Sequence, residues 1–441
     1  MAAPNVQRGH RAPPAGLVRL AFVSLLPLAA CQLFDSPAPL FPFCSDPPLV
    51  VPDGGPPLGW ADVGPIFLTH CAGCHTAGGI APFPLESPSD VAAEALAVRA
   101  AVVTRLMPPW PLAHCCESYL GDPSLSDAQI GEIASWIDQG LPAGVGSVAE
   151  ATPPPIPGLA RVDLTLSMPE PYLPQPQPGS TDELRCFLVD WPVKTTTYVT
   201  AFDVRPSAPS EVHHARAFLM PPGAAPPGSS GADGRPGWNC PNGVPGNVGA
   251  VGGWRPGALP ETLPGGLGYR VDPGSQIVLS MHYRSATGVL VPDQTEMRFT
   301  LEPSVAREAQ LVFLADPNWL RGGMPIPAGD PDAAFAWETD PTGQSGGKPI
   351  SVWAANLHMH EHGKKMIVGV RRKDGSLDCI AEAPAWSYEQ VGEDYFLATP
   401  MQLSPGDKLH IECHFDNSAG KTALNWGNDQ EMCIGYVTAT W

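Results

Sequence analysis

Leu357-His358-Met359-His360-Glu361-His362 sets imidazoles at alternate positions. Residues two apart on a β-strand share a face, so His358 and His360 can converge on one ion. Three other short stretches carry ligand chemistry: the adjacent pair His213-His214, His282 within Met281-His282-Tyr283, and Met432 within Glu431-Met432-Cys433. Adjacent strand residues normally face opposite sides, so His213 and His214 reach one ion only where the strand twists or bulges. With His282 they make a set of three imidazoles, which suits copper or zinc. His358, His360 and Met432 make a different set. A thioether is a soft donor that favours Cu(I) and disfavours zinc, so this second set argues for copper. His362 shares the face of His358 and His360 and competes as a third ligand. Core packing is the competing role for Met432, and a structural histidine role competes at the His213-His214 pair.

Far upstream stands Cys71-Ala72-Gly73-Cys74-His75. CxxCH is the attachment signature of haem c: the thiols form thioethers and the adjacent histidine ligates the iron. The competing readings are a redox CxxC or half of a zinc site, but no second CxxC follows. Met107, in Met107-Pro108-Pro109-Trp110, is the expected sixth ligand, with His70 and His114 as rivals. The surroundings read as helical. One helix is expected to carry residues 66–75, and a second runs from Asp90 to Arg105. A third begins at Ser126, where Gln129 completes a capping box, and stops before Gly140.

Composition sets the frame. A chain of 441 residues exceeds one core, and 55 Pro, 46 Gly and only 16% charged residues favour β-rich domains with long turns. The net charge of −19 argues against nucleic acid as a partner. The 11 Cys suit an oxidising compartment. Arg8, Arg11 and Arg19 precede an apolar run ending Leu28-Ala29-Ala30-Cys31, an export signal whose end resembles a bacterial lipobox. The expectation is a periplasmic or cell-surface lipoprotein, held to a bacterial membrane by a lipid on Cys31. Residues 1–31 are then the signal, 32–58 a Pro-rich tether, 59–148 a small all-α cytochrome c-like domain, and 149–162 a stiff linker. Residues 163–303 and 304–441 read as two antiparallel β-sandwiches. Their expected strands include Arg185–Val193, Glu211–Met220, Ser275–Arg284, Ser351–His360, Lys408–Phe415 and Met432–Thr440. Residues 221–273 read as a long functional loop or as irregular short strands.

The order HH, a single H in an MHY strand, HxH, then EMC resembles the copper type II, ascorbate-dependent monooxygenases. This is the family of peptidylglycine α-hydroxylating monooxygenase and dopamine β-monooxygenase. Trp254-Arg255-Pro256-Gly257 and Leu263-Pro264-Gly265-Gly266 agree with it. The resemblance spans residues 163–441 and implies two jelly-roll domains. It assigns His213, His214 and His282 to an electron-transfer copper. It assigns His358, His360 and Met432 to the copper where O2 is activated, with Tyr436 retained nearby. It also implies disulfides Cys413–Cys433 and Cys186–Cys240. Cys379 has no counterpart, and Cys44 is a candidate partner for one of the vicinal pair Cys115-Cys116.

The implied activity is hydroxylation of a C–H bond of an organic substrate, with two copper ions and one haem c. An ascorbate-like reductant or a periplasmic carrier is the implied external donor, and the fused haem suggests a route for its electrons. The alternative is a non-catalytic copper- and haem-binding lipoprotein for electron transfer or copper handling. One departure bears on the substrate. The peptide-amidating enzymes place an Arg two residues before the HxH pair to grip a carboxylate, and here that position is Asn356.

Overall fold

A computed structural model describes Leu40, Phe43, Cys44, Leu49, Val51 and residues 57–143, 157–177, 179–226, 228, 230–240, 249–284, 290–387, 394–427 and 430–441. The expected export signal with Cys31 lies outside these residues, as do most of the tether and much of the linker. Among the described residues no helix is long and apolar enough to cross a membrane.

Among the described residues the helical part has four α-helices: α1 (Trp60–His70), α2 (Pro88–Ala93), α3 (Ala95–Val103) and α4 (Asp127–Asp138). The expected capping box starts α4. Ser126 Oγ accepts the Gln129 N–H at 3.3 Å, and Gln129 Oε1 accepts the Ser126 N–H at 2.9 Å. Ile130, Ile133 and Ile137 then face Trp60, Phe67 and Val98 in one core. Two expectations need correction. The first helix ends at His70, so Cys71–His75 forms a hydrogen-bonded turn, with the His75 N–H donating to Cys71 O at 2.9 Å. The second helix is two, because Glu94 leaves helical geometry and its N–H reaches only three residues back, to Val91 O.

The rest of the described chain is mostly β. A five-stranded sheet runs in the order Trp238–Asn239, Asp182–Asp190, Gln276–Arg284, Val212–Met220, Gly249–Trp254. A six-stranded sheet built around Thr197–Arg205 and Glu296–Glu302 shares its core: Phe187, Ala215 and Leu279 of the first meet Phe202, Val271 and Phe299 of the second. A second pair follows. Gln310–Leu314, Ile434–Thr440, Ile350–His358 and Tyr395–Leu403 form one sheet. Ala333–Thr339, Lys408–Phe415, Gly363–Arg371 and Leu377–Ala383 form the other. Leu357, Met359, Met366, Val368 and Ile411 share the core between them.

The two pairs are packed together. Trp353 and Phe396 of the second pair join the core of the first. Burying one such side chain contributes about 1.5–3 kcal/mol. Gly265 lets Trp353 approach: its φ is +62°, and an added Cβ would lie 2.5 Å from the indole ring.

Among the described residues four disulfides tie the elements together: Cys44–Cys115, Cys116–Cys379, Cys186–Cys240 and Cys413–Cys433. Both pairings implied by the family resemblance are present, and Cys44 does take one member of the vicinal pair. Cys379, which had no assigned partner, bonds the other.

Candidate metal centres

The first centre is built by a bulge. Val212 pairs with Tyr283 and His214 with His282, so His213 is the extra residue between two ladder positions. Val212 and Ala215 point into the core, and the bulge turns both imidazoles away from it. His213, His214 and His282 then gather with donor nitrogens all within 4.8 Å of one another. His213 Nδ1 and His214 Nδ1 stand 3.3 Å apart. Two nitrogens bound at about 2.0 Å to one tetrahedral ion would stand about 3.3 Å apart, so the spacing fits a shared metal. His282 Nε2 donates to Asp182 Oδ1 at 2.8 Å. The carboxylate accepts only, so it sets the tautomer and makes Nδ1 the basic nitrogen of that ring. His214 is held neutral, well below its ordinary pKa, by burial first and then by His282, His213 and Arg216. A neutral imidazole is the form that ligates.

The second centre lies where the Ile350–His358 strand ends. Leu357 and Met359 are buried in the core, so His358 and His360 share the opposite face with ring centroids 5.1 Å apart. Burial, then His360 and Arg216, push the His358 pKa down to about 3. His360 Nδ1 donates to the Gln430 carbonyl oxygen at 3.0 Å, which makes Nε2 its basic nitrogen. Met432 is half-buried. It is two residues from Ile434, the cross-strand partner of His358, and Cys433 beside it is bonded to Cys413.

Glu431 was only the first letter of a motif in the sequence. In the structure it is fully buried. Its Oε2 accepts the His360 N–H at 3.0 Å and its Oε1 the His362 N–H at 2.7 Å. His362 Nδ1 lies 3.2 Å from the same Oε1, and its side chain is 40% exposed. His362 therefore braces the carboxylate that braces the ligand turn. Trp386 Nε1 closes the turn from the other side, donating to the His360 carbonyl oxygen at 3.1 Å.

Asn356 pairs across strands with Tyr436. Its Nδ2 donates to Asp394 Oδ1 at 3.1 Å, and Arg216 of the first sheet pair lies 3.7 Å from the same oxygen. Arg216 stands two residues beyond His214. Burial raises the Tyr436 pKa, and Arg216 draws it back.

Residues 334–439 match the copper type II ascorbate-dependent monooxygenase C-terminal domain. This matched domain holds His358, His360, Met432 and Tyr436. The match supports a copper-dependent oxidoreductase of the monooxygenase type, which uses O2 and a reductant. No curated protein matches the chain by sequence. Among solved structures, a peptide-N(4)-(N-acetyl-β-D-glucosaminyl) asparagine amidase is 8% identical over 63% of this chain and 95% of its own, with a TM-score of 0.28. The plant peptide RALF23 in complex with FER and LLG2 is 9% identical over 64% and 89%, with a TM-score of 0.16. Likenesses this weak bear on neither fold nor function.

The upstream motif has its own geometry. His75 Nδ1 donates to the Phe83 carbonyl oxygen at 3.0 Å, so Nε2 is its basic nitrogen. Cys71 and Cys74 are thiols, while the other described cysteines are all in disulfides. Burial pushes Cys71 up to about 12, the opposite of the lowered thiol of a redox CxxC. Met107 is 38% exposed, after α3. His70 has contacts at both ring nitrogens, Nδ1 with Pro123 O at 3.1 Å and Nε2 with Gln129 Nε2 at 3.4 Å, and His114 Nε2 lies 2.9 Å from Ser124 Oγ.

Proposed function

We propose that this protein is a copper-dependent monooxygenase that hydroxylates a C–H bond of an organic substrate with O2, its electrons entering through a fused c-type haem. His213, His214 and His282 would hold one copper as an electron store. His358, His360 and Met432 would hold the copper where O2 reacts. Copper supplies the one-electron chemistry that O2 needs, and one oxygen atom goes to the substrate while two electrons and two protons take the other to water.

The chain's own residues do the rest. The bulge at His213 and the Asp182 carboxylate gather three imidazole rings around one point. Glu431 and Gln430 orient His360. Tyr436, opposite Asn356, faces the same strand end as a hydroxyl to position substrate. Asn356 removes the family's carboxylate clamp at that position, which argues against a glycine-extended peptide as substrate. Cys71, Cys74 and His75 would carry the haem, with Met107 as its sixth ligand. The disulfides among the described residues support export to an oxidising compartment, with Cys31 as the lipid anchor.

The observation that carries this reading is the 3.3 Å Nδ1–Nδ1 separation within the three-imidazole cluster, which complements the matched domain. Metal analysis of the full chain, with a pyridine haemochrome spectrum, tests it. Two coppers and one c-type haem per chain are expected, with one copper lost in His282→Ala. Zinc alone at both centres, or no c-type haem, would overturn it.

A further inference from the structure

The Cys71–His75 turn is seated on the first sheet pair. Cys74 Sγ donates to the Pro256 carbonyl oxygen at 3.3 Å. Gly73 and Gly257 meet backbone to backbone. A Cβ added at Gly73 would lie 3.1 Å from Gly257 Cα, and one added at Gly257 would lie 3.7 Å from Gly73 Cα and 3.8 Å from Cys74 Sγ. The seat is therefore Arg255-Pro256-Gly257, touching the very residues that would hold a haem edge.

This loop continues directly from the Gly249–Trp254 strand. Trp254 pairs with Ala215, the residue after His214. From Pro256 the path to the three-imidazole cluster is two residues along one strand, one step across the ladder and one residue more. That is roughly 16 Å of backbone, at about 3.8 Å per residue and about 5 Å per ladder step. The helical part is also fastened from its other end. Cys116 bonds Cys379, Tyr119 Oη donates to Ile380 O at 2.9 Å, and the backbone of Leu120 donates to Phe396 O at 2.8 Å. The Cys71–His75 turn is thus held against the loop and does not swing on a tether.

We propose that the Arg255–Gly257 loop is the port through which electrons pass from a haem on Cys71, Cys74 and His75 to the copper held by His213, His214 and His282. The port rests on the haem and copper reading above. Each event moves one electron: ferrous haem becomes ferric and Cu(II) becomes Cu(I), with no bond made or broken. An external one-electron donor re-reduces the haem.

The test uses the full chain loaded with haem and Cu(II), without O2. A laser flash generates flavin semiquinone, which reduces the haem. Haem reoxidation is followed by its visible band and copper reduction by loss of the Cu(II) EPR signal. In the native protein reoxidation should be first-order and independent of protein concentration. Gly257→Val, which drives a side chain into the contact, should slow it roughly tenfold or more, the scale on which small displacements of reacting groups are felt. Arg255→Ala should slow it less, and neither variant should move the copper EPR parameters. With haem and copper both in place, an unchanged rate in both variants, or a rate that rises with protein concentration, overturns the port alone. A protein that carries no haem overturns the port together with the reading beneath it.

Discussion

Replacing Glu431 isolates what holds the HxH turn. Its carboxylate is fully buried and accepts two backbone N–H groups, from His360 at 3.0 Å and His362 at 2.7 Å. Each hydrogen bond to a charged acceptor contributes about 1.5–3 kcal/mol, so Glu431→Ala should cost about 3–6 kcal/mol of stability. Glu431→Gln keeps one acceptor oxygen and should cost about half of that. The effect on the metal is separate. Loss of a group that orients a ligand typically lowers metal affinity by about 10–100-fold, or about 1.4–2.7 kcal/mol. Chelator competition with copper, followed by EPR, resolves the two centres. In Glu431→Gln, affinity should fall at the His358–His360 centre and stay unchanged at the His213–His214–His282 centre. Denaturant unfolding measures the stability term. If both centres keep native affinity and Glu431→Ala unfolds at the native midpoint, the bracing role is wrong.

Three more expectations follow from the same geometry. Asp182→Ala removes the acceptor that sets the His282 tautomer, so copper affinity at the three-imidazole centre should fall by about 10–100-fold by the same titration. Asp394→Ala strands the Arg216 cation, whose side chain is 17% exposed, and should destabilise the protein by up to about 3–5 kcal/mol in urea melts; Asp394→Asn should cost less. Metal-free protein should lose stability in acid in two stages, read as melting temperature against pH. His214 and His358 stay neutral in the fold while the unfolded chain protonates below its ordinary 6.5, so the first loss begins there. Glu338 follows. Burial pushes it up, but Arg371 and His410 outweigh burial and hold it below its ordinary 4.5, so its contribution is present above that value and lost below it.

The legible parts of this protein were those that local chemistry constrains. Two adjacent histidines can serve one ion only if their strand is irregular, and the strand bulges at His213. Ser126 and Gln129 announce the start of α4 because capping is a contact between near neighbours. The alternation of Leu409, Ile411, Cys413 and Phe415 with polar residues marks the strand Lys408–Phe415. Gly249–Trp254, inside the stretch read as a functional loop or irregular short strands, is a strand whose four Gly and Ala residues carry no alternation to place it. Yet it is the strand that leads from the three-imidazole cluster to the CxxCH turn. Cys116–Cys379, Asn356–Asp394–Arg216 and the seat of Cys74 on Pro256 join residues far apart in the chain. No periodicity encodes such pairs; only the packed sheets bring them together. His362 illustrates the same limit. Its spacing suggested a ligand, and the buried Glu431 carboxylate gives it a partner that the spacing cannot show.

The most direct test of a copper monooxygenase is O2 consumption by the copper-loaded full chain, driven by ascorbate and compared with Met432→Ala at equal copper content. Uptake that requires both copper and reductant, and that collapses in Met432→Ala while the three-imidazole centre keeps its copper, is the predicted result. Uptake that is absent with every donor tried, or that persists undiminished in Met432→Ala, would contradict it.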